Sequence, residues 1–412
     1  MAAADIVIIG GGIVGCSVFF ELERLGYDCT LLEKNENLIS EASSGNSGML
    51  HTGFDAPANS LELHCIKRCM ERVFSTFDKL GVPYNENGSI MVAWSPDQVP
   101  KLEEIRMSSL AKGVTNVHHM SAPELYKKEP YLSRQAHGAL WIPGETVLEP
   151  CVYGLLMAHH ARKNGAKILT GCEVRGHEVD SFGRSTVETT CGPITARVVI
   201  NCAGLYGDKV QQMAGVDTFS IKPRKGQYAV FGSSTGHLIK SSILPVPTEK
   251  TKGIIVFKTV HNNLIVGPTA EDVESRQRAA IDATITKRLV DIGRQTVPEL
   301  TSFSPVGHYT GVRPATEYKD YQIKSYADRN WITVGGIRST GVSASLGIAE
   351  YVATLVRNDL KAEPTRGSTR TVESSDWNLL PSGFLSVDGQ LYGVSHPITL
   401  FGLKESGRNS RL

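Results

Sequence analysis

The sequence predicts a mixed α/β + β fold, and three observations point there. A continuous apolar run, residues 4–9, passes directly into a glycine-rich turn and then an apolar helical stretch. Two further β-branched runs, 196–202 and 331–334, likewise lead into glycine-bearing turns. Between them, segments such as 226–231 and 264–267 cluster or alternate strand formers, as expected of a second, sheet-based domain.

Composition sets the outer limits. At 412 residues the chain suits one large domain or two intimately joined ones. With 41% hydrophobic and 21% charged residues it is ordinary globular material, which excludes disorder throughout and fibrous repeats. Lys+Arg number 43 against Asp+Glu 42, so the net charge of +1 argues against nucleic-acid binding by phosphate neutralisation. The eight cysteines form no CxxC, and reduced, mostly buried thiols are expected. No run approaches the ~18 apolar residues of a spanning helix, so no transmembrane segment is expected. The first apolar stretch lacks a basic leader and is broken by Gly10-Gly11-Gly12, unlike a signal peptide.

The opening unit carries the first chemistry. The run ADIVII reads as a strand buried on both faces, followed by Gly10-Gly11-Gly12-Ile13-Val14-Gly15, a helix to about Leu25, a stop at Gly26, and a second strand over 27–32 ending at Glu33. In this Rossmann-like strand–turn–helix–strand unit Gly10 permits the tight turn, Gly12 allows backbone N–H groups to approach a pyrophosphate, and Gly15 allows close helix–strand packing. Glu33 stands where a carboxylate accepts hydrogen bonds from a ribose hydroxyl. No second unit of this kind follows, so one dinucleotide is expected. The next segment, 39–53, is polar and built from small residues, which suits a path beneath a bulky, extended cofactor and favours FAD.

VIIGGGIVG…LLEK followed by SSGNSGMLHTG resembles the D-amino-acid-oxidase-type FAD-dependent oxidoreductases, most of all their glycerol-3-phosphate oxidase/dehydrogenase branch, with L-2-hydroxyglutarate dehydrogenases as close relatives. NCAGLY (201–206), PRKGQY (223–228), VGPTA (266–270), GVRP (311–314) and GGIRSTG (335–341) extend the resemblance over about 4–360. It implies a Rossmann-like FAD-binding domain built from discontinuous segments (1–85, 146–220, 326–362) interleaved with an antiparallel-sheet substrate domain (86–145, 221–325). Residues 363–412 are expected to be an extension, partly disordered.

Oxidising a secondary alcohol to the flavin requires a base near neutral pKa and a cation for an anionic substrate group. His51 is the expected base, since it lies in the small-residue segment and imidazole titrates near working pH. The other histidines, including the pairs 118–119 and 159–160, are expected on solvated faces, and none shows metal-ligand spacing, so no metal is expected. Arg313 offers a bidentate fork for phosphate or carboxylate. The resemblance adds Lys252 to the substrate site, with Lys250 or Lys258 as alternatives, and gives Ser47 and Ser339 substrate-binding roles. Cofactor contacts are expected from Gly10, Gly12, Ile13, Gly15 and Glu33. By resemblance they extend to Ser43, Ser44, Asn46, Val174, Ala203 and Gly204, and to the 336–340 turn (Gly336, Ile337, Arg338, Ser339, Thr340).

No cysteine follows Cys202, which removes an iron–sulfur relay and leaves oxygen or an external acceptor such as a quinone as the electron sink. The expected reaction is sn-glycerol 3-phosphate to dihydroxyacetone phosphate. The alternatives are an L-2-hydroxy acid such as L-2-hydroxyglutarate, an amine substrate, or a flavin-binding protein without turnover. Ser410-Arg411-Leu412 resembles the SKL peroxisomal address, so an import receptor is an expected partner and the peroxisome the expected location, with the cytoplasm otherwise.

Overall fold

The computed structural model describes residues 2–217, 219–248, 253–277, 280–367 and 369–409. The tail Ser410-Arg411-Leu412 lies outside them, as do Lys250 and Lys252.

The opening apolar run becomes the strand Ala2–Ile9, whose Ile6, Val7 and Ile8 are fully buried because strands and helices cover both faces. It is the middle of a five-stranded parallel array, in the order Lys167–Leu169, Cys29–Leu32, Ala2–Ile9, Ile194–Asn201, Trp331–Gly335. The strand Gln322–Tyr326 adds antiparallel beyond the last of these, and the hairpin Val174–Val179/Ser185–Thr189 adds to the early half of Ile194–Asn201. The helix Ile13–Arg24 packs between Pro150–Lys163 and Gly341–Asn358.

The second sheet has nine strands and apolar clusters on both faces. Its spine is the long antiparallel pair Ile221–Phe231 and Pro305–Thr316, in register from Ile221 opposite Thr316 to Val230 opposite Gly307. It is not wholly antiparallel, since Ser242–Pro245 runs parallel to Ser89–Ala93. Gln322–Tyr326 belongs to the first sheet, so the crossing back from the second domain falls before residue 322 rather than at 325.

Two expectations need correction. Beyond 363, the described residues form a three-stranded sheet (Trp377–Leu380, Phe384–Val387, Gln390–Gly393) and the helix Pro397–Asn409. Leu385, Val387 and Ile398 are buried, and the fully buried Glu149 carboxylate takes hydrogen bonds from His261 Nε2 and Thr399 Oγ1, both at 2.5 Å. This segment is tied to the core, because its short apolar clusters land on the helix 150–163 and the second sheet. His159 and His160 are buried rather than solvated, because that helix is covered on nearly all sides. Among the described residues no helix is long and apolar enough to cross a membrane, and no group of His, Cys, Asp or Glu is placed to hold a metal.

The His160 ring packs edge-on against Phe20 at 5.1 Å, and its Nε2 accepts the Glu373 N–H at 3.3 Å. Burial pushes the imidazoles of His160 and His177 down to about 4. Their folded pKa values lie below the unfolded value of ~6.5, so the stability they contribute is present above that pH and lost as pH falls toward 4. Melting temperature followed across pH 7 to 4.5 is expected to drop, reporting a stability loss on the order of 2 kcal/mol per group once solvent screening is allowed for. His160→Gln should flatten that slope, and an unchanged slope would exclude this residue as a source.

Candidate active site

The first strand delivers Gly10 into the turn with φ +107°, a conformation that favours glycine. A Cβ there would meet the Cys202 carbonyl oxygen at 2.5 Å, and one on Gly15 would meet the Gly10 carbonyl oxygen at 1.8 Å. Backbone packs on backbone here, as the motif requires. Gly12 precedes the helix Ile13–Arg24 with no side-chain cap of its own, and the Ser43 hydroxyl accepts the Ile13 N–H at 3.0 Å. Buried Glu33 ties the turn to the second strand. Its Oε2 accepts the Gly11 N–H, and its Oε1 accepts both the N–H and the Nδ2 of Asn35, all at 2.8 Å. Burial pushes this carboxyl up, against those bonds. Of the roughly four lone-pair positions of a carboxylate, three are thereby used, leaving one for a ribose hydroxyl.

This turn borders a cavity of about 620 Å³, with Gly15 packed behind the wall against the Gly10 carbonyl. Its wall takes in Gly10, Gly12, Ile13, Glu33 and Ser43, then Val174, Ala203 and Gly204, then Asn46, Ser47, His51, residues 334–342, and Arg313. The volume, the glycine cradle that any Cβ would fill, and the carboxylate at the strand end fit an extended dinucleotide with a ring system bound beyond it.

Some expected contacts sit differently. Ser44 is buried with its hydroxyl on the Glu41 carbonyl at 3.0 Å and is not on the wall, because the 3₁₀ turn Glu41–Gly45 points it inward. Asn46 braces that turn, donating Nδ2 to the Ser43 carbonyl and accepting the Gly48 N–H, both at 2.7 Å. Arg338 (φ +56°) donates Nη1 to the Lys319 carbonyl at 2.7 Å. The Thr340 hydroxyl is spent between Tyr321 (2.7 Å) and Glu62 (2.8 Å). Both therefore face the cavity with backbone. Ser339 is an exposed residue on the wall. Lys252 falls outside the described residues, and Lys258 closes the strand Ile255–Lys258 away from the wall.

His51 and Arg313 line the same cavity although they are carried by different domains. The His51 N–H donates to the Ser343 hydroxyl at 2.8 Å, and its Nδ1 is 2.7 Å from Glu145 Oε2. Glu145 has no solvent exposure, and its other oxygen accepts the Thr52 N–H at 2.7 Å and the Thr52 hydroxyl at 3.0 Å. The Arg313 guanidinium donates to the Thr269 carbonyl at 3.2 and 3.3 Å and lies over Gly226, where a Cβ would meet Nη2 at 2.6 Å. Directly opposite Arg313 in the register stands Arg224, also on the wall. Tyr228 lies beside this guanidinium, stacked on Tyr309 with centroids 4.3 Å apart, and burial pushes its phenol up.

Glu145, Arg224 and Tyr228 are the wall and support residues that sequence reasoning missed. The last two sit inside the PRKGQY segment, where strand alternation places 224, 226 and 228 on one face. The two domains meet backbone to backbone at Gly45 and Gly311, where a Cβ on Gly311 would lie 2.1 Å from the Gly45 carbonyl oxygen.

Known proteins agree with this architecture. The family described as FAD dependent oxidoreductase matches residues 5–355. A glycerol 3-phosphate dehydrogenase of Caloramator mitchellensis is 29% identical over 87% of this chain and 74% of its own. A glycerol 3-phosphate oxidase of Mycoplasma pneumoniae is 29% identical over 88% and 97%. An L-2-hydroxyglutarate dehydrogenase of Caenorhabditis elegans is 28% identical over 65% and 63%. The solved L-alpha-glycerophosphate oxidase of Mycoplasma pneumoniae with FAD bound superposes with a TM-score of 0.85 at 27% identity, covering 92% of this chain and all of that one. With the glycine cradle, the strand-end carboxylate and a match across most of its length, the chain belongs to the FAD-dependent oxidoreductases of the D-amino-acid-oxidase type, and FAD is its cofactor.

Proposed function

We propose that the protein oxidises a small anionic secondary alcohol, sn-glycerol 3-phosphate, to dihydroxyacetone phosphate, with electrons passing on to oxygen or an external acceptor. The observation that carries this reading is a carboxylate-backed imidazole and two directly opposed arginines on the wall of one cavity. Like charges opposite each other on a sheet are unfavourable, and Asp272, 3.7 Å from Arg224 Nε, offsets only part of this. A dianionic phosphate between them turns that repulsion into a clamp, and one guanidinium supplies two parallel N–H donors. With Nδ1 on Glu145, Nε2 of His51 takes the substrate hydroxyl proton, and the buried carboxylate stabilises the imidazolium that results. Tyr228 and Tyr309, stacked beside Arg313, exclude water from the anion and strengthen its attraction to the guanidinium. FAD, when bound, supplies the two-electron acceptor.

The relatives with glycerol 3-phosphate in their names align over 87–88% of the chain, against 65% for the hydroxyglutarate relative, which favours the phosphate. The second reading, an L-2-hydroxy acid, rests on that relative and on a guanidinium's equal fit to carboxylate. Anaerobic mixing of the yellow protein with a substrate panel separates them. Glycerol 3-phosphate is expected to bleach the flavin band, whereas bleaching by L-2-hydroxyglutarate alone would transfer the assignment, and bleaching by none would leave a flavin-binding protein without this turnover.

A further inference from the structure

Two thiols meet at the Glu33 end of the cavity. The strand Val174–Val179 runs antiparallel to Ser185–Thr189, with Val174 opposite Thr189. Pairing continues beyond both strand ends. The Thr190 N–H donates to the Glu173 carbonyl at 2.9 Å, and the Glu173 N–H donates to the Thr190 hydroxyl at 2.9 Å. One residue further on, Cys191 sits in a turn in which the Gly192 N–H donates to the Thr189 carbonyl at 3.1 Å, and its thiol lies 4.0 Å from the carbonyl oxygen of Gly171, the residue before Cys172. The two side chains are close enough for the Cys191 thiol to act directly on the Cys172 thiol, the proximity a disulfide requires. A shared partner holds both residues at this spot. The Cys172 thiol donates to the Thr189 hydroxyl at 3.3 Å, and the Cys191 N–H donates to the same oxygen at 3.0 Å.

The two differ in access. Cys191 is exposed, whereas Cys172 is buried and lines the cofactor cavity, its N–H on the Glu33 carbonyl at 2.9 Å. Burial pushes the Cys172 thiol up, so Cys191 is the sulfur that meets a solvent oxidant first.

We infer that Cys172 and Cys191 are a modification site, a pair that hydrogen peroxide closes to a disulfide and a dithiol reopens. In the first step Cys191 attacks the peroxide, whose O–O bond breaks to give Cys191 sulfenic acid and one water. The Cys172 sulfur then attacks Cys191 Sγ, the S–O bond breaks, and hydroxide leaves with the Cys172 proton as a second water. Two thiols lose two electrons and the peroxide gains them. The link pins residues 172–174, which wall the cavity beside Glu33, to the neighbouring strand, so this end opens less readily and FAD leaves more slowly.

The experiment treats the FAD-loaded protein with hydrogen peroxide, blocks remaining thiols by alkylation and digests with trypsin. Cleavage after Lys167, Arg175, Arg184 and Arg197 places the cysteines in separate peptides, 168–175 and 185–197. The expected result is these two peptides joined, with intact mass lower by about 2 Da and restored by dithiothreitol. Cys191→Ser should bind FAD normally and yield no joined species. Recovery of both peptides singly after peroxide, whether alkylated or with Cys191 as sulfinic acid, overturns the pair. FAD release in chaotropic salt is expected to slow about threefold or more in the oxidised protein. Equal release rates in the oxidised and reduced forms would overturn the link to cofactor retention.

Discussion

His51→Asn is expected to keep its FAD and to lower the rate of substrate-driven flavin reduction by about two to four orders of magnitude, the scale of losing a positioned general base. Asparagine preserves the backbone N–H that reaches Ser343, so the segment 46–51 keeps its place on the cavity wall. What disappears is the imidazole that takes a proton and spreads the resulting charge onto Glu145. Glu145→Gln isolates the second half of the arrangement. The ring remains, but its buried anionic partner is gone, so reduction should slow less than in His51→Asn while the pH at which activity appears shifts. Anaerobic stopped-flow reduction measures both variants. Wild-type rates in His51→Asn would place the base elsewhere in the cavity.

Arg313→Ala should raise KM for the anionic substrate by on the order of 100-fold, the worth of about 3 kcal/mol of charge-assisted bonding, with a smaller change in kcat. The long strand Pro305–Thr316 keeps eleven paired neighbours regardless of this side chain, so the substitution should fold. Arg224 would then face the anion without its partner on the opposite strand. Arg313→Lys is expected to recover only part of the loss, because a point charge cannot supply two parallel donors. Steady-state kinetics checks this, and an unchanged KM would remove the anion site from this sheet.

Much of this was readable in the chain because a few positions obey local physics. Gly10, Gly12 and Gly15 recur at the spacing a strand–turn–helix needs; Gly10 and Gly15 are points of backbone contact, and a Cβ on Gly12 would lie 2.9 Å from the Ser43 hydroxyl. His51 and Arg313 stand out by residue type inside short, distinctive segments. Glu145 could not be found that way. It lies 94 residues from His51 in an irregular stretch, and only the pairing of Met49–Leu50 with Thr146–Leu148 brings the two together. The carboxy-terminal sheet was missed for a related reason. Its strands are four residues each, too short to show a period, and their burial is decided by the distant surface on which they land. His159 and His160 show the opposite error, since polar residues on a helix suggested a wet face that the fold does not have.

The junction of Gly45 with Gly311 bears on which molecules this cavity accepts. Main chain abuts main chain there, leaving no side chain to shorten or lengthen. The gap between the imidazole segment and the strand bearing Arg313 is thus set like a fixed-jaw gauge. A ligand whose reacting carbon and charged end are separated by a different number of bonds meets one partner and misses the other. Changing preferred chain length would then require moving the guanidinium along its strand, two residues at a time, rather than trimming the walls.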